Sequence, residues 1–257
     1  MAEPYSHPGS AQVYDAVYAE HHPYAGGAAT VLELVRKAGD GRDPKSMSLL
    51  DVGCGTGRHL ELLAGEFGSV AGLDLSEVQL AAAAERLGPD IPLYHGDMLA
   101  LGSVLGARPG AGQAASFDVM LCLHSSIAYL AGAEELTTAI GEMAGLLAPG
   151  GTLIIEPWLR PDAYRSFGVI TYFIDRPDLK VARMCLSDRE GDVSVLDMHH
   201  LVARPDGIEH YVEGHRLRMF TEAEFDRAFR AAGLEARFDP DGIDAVGRGL
   251  WVAGKPA

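Results

Sequence analysis

The chain has 257 residues, 47% of them hydrophobic and 22% charged, with 31 glycines and 14 prolines, an ordinary globular composition. Lys and Arg number 21 against 36 Asp and Glu, a formal charge of -15, and so acidic a surface repels nucleic acid and anionic lipid. No uncharged apolar run is long enough to span a bilayer, and Met1-Ala2-Glu3-Pro4 lacks the basic-then-apolar pattern of a signal peptide.

Cys54, Cys122 and Cys185 are odd in number and far apart, which reads as reduced thiols in a cytoplasmic protein, with no disulfide framework and no zinc site. The first 25 residues hold four tyrosines and three histidines and fit no regular pattern. From 28 to 156, short apolar runs at 49–52, 69–73, 91–94, 118–123 and 152–155 alternate with helical stretches. Ser76-Glu77-Val78-Gln79 reads as a capping box opening an alanine-rich helix, 134–147 as a further helix, and Pro149-Gly150-Gly151 as the turn before the last strand. This alternation predicts a doubly wound, mostly parallel α/β sheet whose strands are buried on both faces.

After Pro157 the pattern changes. Strand-like segments at 169–174, 180–186, 193–203 and 208–219 predict an antiparallel insertion added to the sheet or covering one end of it. Thr221-Glu222-Ala223-Glu224 is a second capping box, leading a helix to Ala232 that Gly233 stops, and 234–238 and 249–253 are the closing strands. The expected organisation is an N-terminal segment at 1–27, a core at 28–159 and 221–257, and the β insertion at 160–220.

The strongest chemical signal is Asp51-Val52-Gly53-Cys54-Gly55-Thr56-Gly57-Arg58. It places glycines in a tight turn between strand and helix, where a ligand meets bare backbone and free N–H groups. Asp74 ends the following strand, where a carboxylate accepts ribose hydroxyls. A dinucleotide fingerprint would need a small residue at the sixth position, where Arg58 stands. The turn resembles instead the first motif of class I S-adenosylmethionine (SAM) methyltransferases. Asp74-Leu75, Gly96-Asp97-Met98, Phe117-Asp118-Val119-Met120 and Ala148-Pro149-Gly150-Gly151 follow in the order that resemblance requires.

Val13-Tyr14-Asp15, Ser125-Ser126-Ile127, Glu156-Pro157-Trp158, Glu209-His210-Tyr211 and Gly247-Arg248-Gly249-Leu250 narrow it further. They resemble the bacterial N-methyltransferases that act on the amino group of nucleotide-linked deoxyaminosugars in antibiotic biosynthesis. The segment Ala19-Glu20-His21-His22-Pro23-Tyr24 departs from that group, whose members tend to be basic there. The resemblance implies a seven-stranded Rossmann-like sheet with SAM as cofactor. Asp51 and Gly53, Cys54, Gly55 and Gly57 would then hold its methionine end, Asp74 and Leu75 its ribose, and Asp97 and Met98 its adenine. Leu123 at the end of the fourth strand would also line the cofactor, and Tyr14 and Tyr18 would close over it as a lid or simply pack as aromatics.

Methyl transfer to an amine needs alignment, exclusion of water and a neutral nucleophile. His124, at the carboxyl end of the fourth strand, is the candidate base, with Tyr18 as a second catalytic candidate; the other reading of His124 is a structural cap. Ser125, Ser126, Glu156, Trp158 and Arg248 are candidates for the substrate. Trp158 is either a flat wall or core. Arg248 suits a diphosphate by its fork geometry, or else is a solvated loop residue. Arg58, Arg160, Arg165 and Arg176 are the other residues able to build a basic patch. Adjacent His21 and His22, and His199 and His200, would point different ways; His210 and His215 read as strand residues, and no metal site is expected. The acceptor is a small amine, with an aminoglycoside, another natural-product amine or a hydroxyl as alternatives. A non-catalytic SAM-binding protein is the alternative of another class. A homodimer through the β insertion is possible on the same reading.

Overall fold

The computed structural model describes residues 4–22, 24–39, 41–106, 116–166, 168–243 and 247–257. Met1, Ala2 and Glu3 of the leader reading, and Pro23, lie outside them.

Seven strands form the main sheet: β1 (Ser48–Val52), β2 (Ser69–Asp74), β3 (Leu93–His95), β4 (Phe117–Cys122), β5 (Leu147–Ile155), β10 (Glu235–Asp239) and β11 (Leu250–Gly254). Their order is β10-β11-β5-β4-β1-β2-β3, with β11 antiparallel to both neighbours and the other pairs parallel. Alternate residues along each strand feed opposite cores. Leu50, Val52, Met120, Cys122 and Trp251 pack against α6 (Ala133–Leu146) and α7 (Glu222–Ala231). Leu49, Leu121, Ile154 and Val252 face α2 (Tyr24–Ala38) and α3 (Arg58–Leu63). Burial on both faces explains why these strands read as unbroken apolar runs.

Four antiparallel strands, β6 (Gly168–Asp175), β7 (Lys180–Glu190), β8 (Val193–Arg204) and β9 (Gly207–Arg218), form a separate sheet. The insertion is therefore a second layer and not an extension of the main sheet. Its inner face packs Ile174, Val181 and Val202 against Val13, Ala16 and Val17 of α1 (Ser10–His21).

Three expectations are corrected. The N-terminal residues are helical from Ser10 to His21, and α2 starts at Tyr24 and runs across the boundary expected at 27. Gly9 caps α1 without a side-chain bond, and Tyr14, Asp15 and Tyr18 also point into the protein, so no polar face marks this helix in the sequence. Pro149-Gly150-Gly151 is a bulge inside β5: the register runs from Phe117↔Leu147 to Val119↔Thr152, with Gly150 at φ +72°. The box at Ser76 is half-formed. Its Oγ accepts the Gln79 N–H at 3.3 Å, but its own N–H goes to Asp74 Oδ1 at 2.8 Å. Thr221 and Glu224, by contrast, make the full reciprocal pair opening α7.

Candidate active site

The carboxyl ends of β1, β2, β3 and β4 open on a cavity of about 930 Å³. Its floor is the β1–α3 turn, where Gly53, Cys54 and Gly55 meet it; a Cβ on Gly55 (φ +55°) would contact nothing within 4 Å. Gly57 does not reach the cavity. A Cβ there would lie 2.8 Å from Leu87, so this glycine lets the turn pack on α4 (Glu77–Leu87), which corrects its expected cofactor role. Asp74, Leu75, Asp97 and Met98 form the wall at the ends of β2 and β3. Asp74 accepts the Gly55 N–H at 2.8 Å and the Ser76 N–H at 2.8 Å, through different oxygens. Asp51 also faces the cavity and is 2% exposed; burial first, and the Asp74 carboxylate second, push its carboxyl up to about 7.

Leu123, His124, Ser126 and Tyr129 come from the turn after β4. His124 and Ser125 are both left-handed, at φ 52° and 64°, a costly backbone for non-glycine residues that tertiary contacts must hold. Glu156 holds it: Oε2 accepts the His124 N–H at 2.7 Å, while Oε1 accepts from Arg248 Nη1 at 3.1 Å. Glu156 is 1% and Arg248 9% exposed, and the Arg248 guanidinium lies 5.4 Å over the Trp158 ring. Glu156, Trp158 and Arg248 thus form a support behind the turn, and none of them lines the cavity. Ser125 donates to the Pro157 carbonyl at 2.9 Å and belongs to the same support.

The other arginines do not make a patch. Arg58 pairs with Asp15, Arg160 with Asp162 and Glu222, and Arg176 with Glu20, while Arg165 donates to the Asp162 and Tyr164 carbonyls.

Tyr14 brings its hydroxyl to 2.7 Å from His124 Nδ1. Burial first, then the Arg248 charge and the neighbouring His22 and His59, hold His124 well below its usual range, while burial raises Tyr14. At neutral pH the pair is therefore a neutral phenol donating to a neutral imidazole. The candidate base thus stands as the acceptor of a phenol hydrogen bond, with its pKa moved away from the ordinary histidine range. Tyr18 sits in the layer behind, its ring 4.5 Å from Tyr14 and 4.9 Å from His124.

Residues outside the expected site also gather here. His22 lies 4.5 Å from His124, and Tyr24 and His59 contact it in turn, whereas His21 turns to the Val17 carbonyl. Asp15 takes the Thr56 hydroxyl at 2.7 Å, Arg58 at 3.1 Å and Arg86, tying α1 to the glycine turn and α4. Gln79 is 2% exposed on the cavity wall, with neither amide atom partnered among the described residues. From the second sheet, His215 reaches the Tyr129 hydroxyl at 2.7 Å, while His200 is buried and His199 pairs outside with His210. Among the described residues no group of three His, Cys, Asp or Glu is placed to hold a metal ion.

The family described as "Methyltransferase domain" matches residues 49–151, the stretch that carries most of this cavity's lining. A dTDP-3-amino-3,6-dideoxy-alpha-D-glucopyranose N,N-dimethyltransferase from Streptomyces fradiae is 41% identical over 94% of this chain and 89% of its own. The crystal structure of Streptomyces venezuelae DesVI superposes with a TM-score of 0.82 at 39% identity, covering 96% of this chain and 98% of that one. A SAM-bound amino pentose methyltransferase from Micromonospora echinaspora, of calicheamicin biosynthesis, gives a TM-score of 0.78 at 36% identity, over 95% and 97% of the two chains. The seven-stranded order, the glycine turn with Asp74 and these near full-length likenesses agree: the chain belongs to the SAM-dependent aminosugar N-methyltransferase family.

Proposed function

We propose that the protein transfers methyl groups from SAM to the amino group of a nucleotide-linked deoxyaminosugar. The observation that carries this reading is one cavity that joins the glycine turn and Asp74 to the buried Tyr14–His124 pair. The residues fit the cofactor. Gly55 leaves backbone open, Gln79 offers an unpartnered donor and acceptor, and Asp74 keeps carboxylate lone pairs beyond the two already used. Asp51 suits the ammonium of the methionine end, and Met98 the adenine. SAM supplies an activated methyl group, and the protein aligns it and excludes water. Tyr14, which lines the cavity and is oriented by His124, would use its oxygen as an acceptor for an amine N–H. The acceptor class is supported by the relatives, whose names specify dTDP-linked amino sugars.

Incubation with SAM and dTDP-3-amino-3,6-dideoxyglucose should give products heavier by one and two methyl groups in mass spectrometry. Turnover of a free aminoglycoside with none of the nucleotide sugar would overturn the acceptor.

The N-terminal segment through α1 acts as the lid, and β6–β9 backs the substrate side. No described helix is long and apolar enough to cross a membrane, and all three cysteines are buried and free, which supports a cytoplasmic place. A homodimer through the β insertion is supported by its outer face. Val169, Phe173, Met184, Leu186, Leu201 and Ile208 share that face and are exposed, Ile208 by 75%. Sedimentation should show a dimer that Phe173→Glu with Leu186→Glu dissociates; a monomeric wild type at micromolar concentration would sink the dimer.

A further inference from the structure

A second polar chain reaches the cavity, from the other sheet. Tyr129, on the wall, places its hydroxyl 2.7 Å from His215 Nδ1. His215 Nε2 faces Glu213 Oε2 at 3.9 Å, and His200 Nε2 approaches the same oxygen at 3.5 Å. The His200, Glu213 and His215 side chains are 3%, 4% and 2% exposed. Glu213 and His215 stand two apart on β9 and so share its inner face, opposite Met198 and Leu196 of β8. Nothing in the sequence motifs marks this row.

We propose that Tyr129, positioned by His215 and Glu213, takes the proton that the acceptor amine must lose before methyl transfer. This rests on the amine-methylation reading above. The Glu213 carboxylate lies 3.9 Å from Nε2, beyond hydrogen-bond reach, and its charge favours the Nε2–H tautomer of His215, which leaves Nδ1 to accept the Tyr129 O–H. The Tyr129 oxygen then keeps lone pairs on the cavity side, shared with the Tyr5 hydroxyl 3.3 Å away. As the ammonium N–H breaks, its proton bonds to the Tyr129 oxygen, and the phenolic proton passes to Nδ1. The result is a neutral amine, an intact phenol and an imidazolium facing Glu213, so atoms and charge balance without any further reactant.

His124 and His215 each sit 2.7 Å from the hydroxyl of a cavity tyrosine, and the groups around them differ. Burial draws His215 down to about 4, with the Glu213 carboxylate opposing that shift and Arg183 and His200 adding to it. Tyr5, its ring 5.1 Å from His215, and Tyr18 are the other titratable groups on this side, and Asp74 faces Tyr129 across the cavity. Burial holds both imidazoles neutral, and what sets His215 apart is the Glu213 carboxylate 3.9 Å from its Nε2, placed to hold an imidazolium. At His124 the named neighbours, Arg248, His22, His59 and Arg183, all oppose a proton. The positioned proton sink is at His215.

The test measures kcat and KM against pH with dTDP-3-amino-3,6-dideoxyglucose for the wild type, Tyr129→Phe, His215→Asn and Glu213→Gln, with SAM titrated by calorimetry as a check on folding. Loss of the relay should lower kcat by about 100-fold with KM changed less than threefold. Glu213→Gln, which keeps the buried shape, should displace the acid limb of the kcat profile, and Glu213→Asp should recover most of the rate. Variants that keep the wild-type kcat and pH profile, or that lose only KM or stability, would overturn the relay. A wild type inactive on this probe would instead overturn the amine reading and the relay with it, a result seen before any variant is made.

Discussion

Glu156→Ala should destabilise the protein by about 3–5 kcal/mol, because it breaks a buried ion pair by removing one partner. Arg248 is 9% exposed and pairs with a carboxylate that is itself 1% exposed, so its charge would lose this carboxylate without gaining water. The same change removes the acceptor of the His124 N–H, leaving a left-handed turn at His124 and Ser125 with less to hold it. For a chain of this size each kcal/mol moves Tm by roughly 2–4 °C, so a fall of roughly 10 °C is expected in a thermal melt. Glu156→Met combined with Arg248→Met should lose less than the single change, since an apolar pair leaves no orphaned charge. Activity of the double variant should stay low, because His124 would still lack its backbone anchor. A single variant within 1 kcal/mol of wild type would show that the pair is hydrated in solution.

The sheet was legible because each strand is an apolar run closed by a chemical punctuation mark. Gly53 and Gly55 stop β1, Asp74 stops β2, and Thr221 with Glu224 opens α7. The cofactor wall follows from that, since the ends of parallel strands must lie together. The substrate side was not legible, for two physical reasons. Arg248 reads as an exposed loop residue between two glycines, yet its guanidinium folds back on Glu156 and Trp158, a contact 92 residues distant that no local pattern records. Tyr129 and His215 lie 86 residues apart and meet because one sheet covers the end of the other. The inner face of β9 could have been read from the alternation Tyr211, Glu213, His215, Leu217, but a strand with polar residues on its buried side mimics a solvated one.

Asp51→Asn should stabilise the cofactor-free protein by about 2–4 kcal/mol at pH 8 while weakening its hold on SAM. The carboxyl is buried beside Asp74 and pushed up to about 7, whereas in the unfolded chain it titrates near the ordinary 3.8. Between those values the folded state binds the proton and the unfolded state does not. Rising pH therefore favours unfolding from about pH 4 to about pH 7, and the cost is constant above that. An amide of the same shape avoids the cost, so the gain should be full at pH 8 and absent at pH 4. Melts at the two pH values separate this from a packing effect, which would act at both. The cofactor reverses the balance. The ammonium of a methionine end stabilises the carboxylate, so wild-type affinity should rise from pH 6 to pH 8, and the Asn variant should bind about 10–100-fold more weakly without that slope. A buried acid that destabilises the empty fold is retained where a ligand cation offsets it. Equal SAM affinity in Asp51→Asn at pH 8, or no gain in its melting temperature there, would mean that Asp51 meets no cation and keeps its proton throughout.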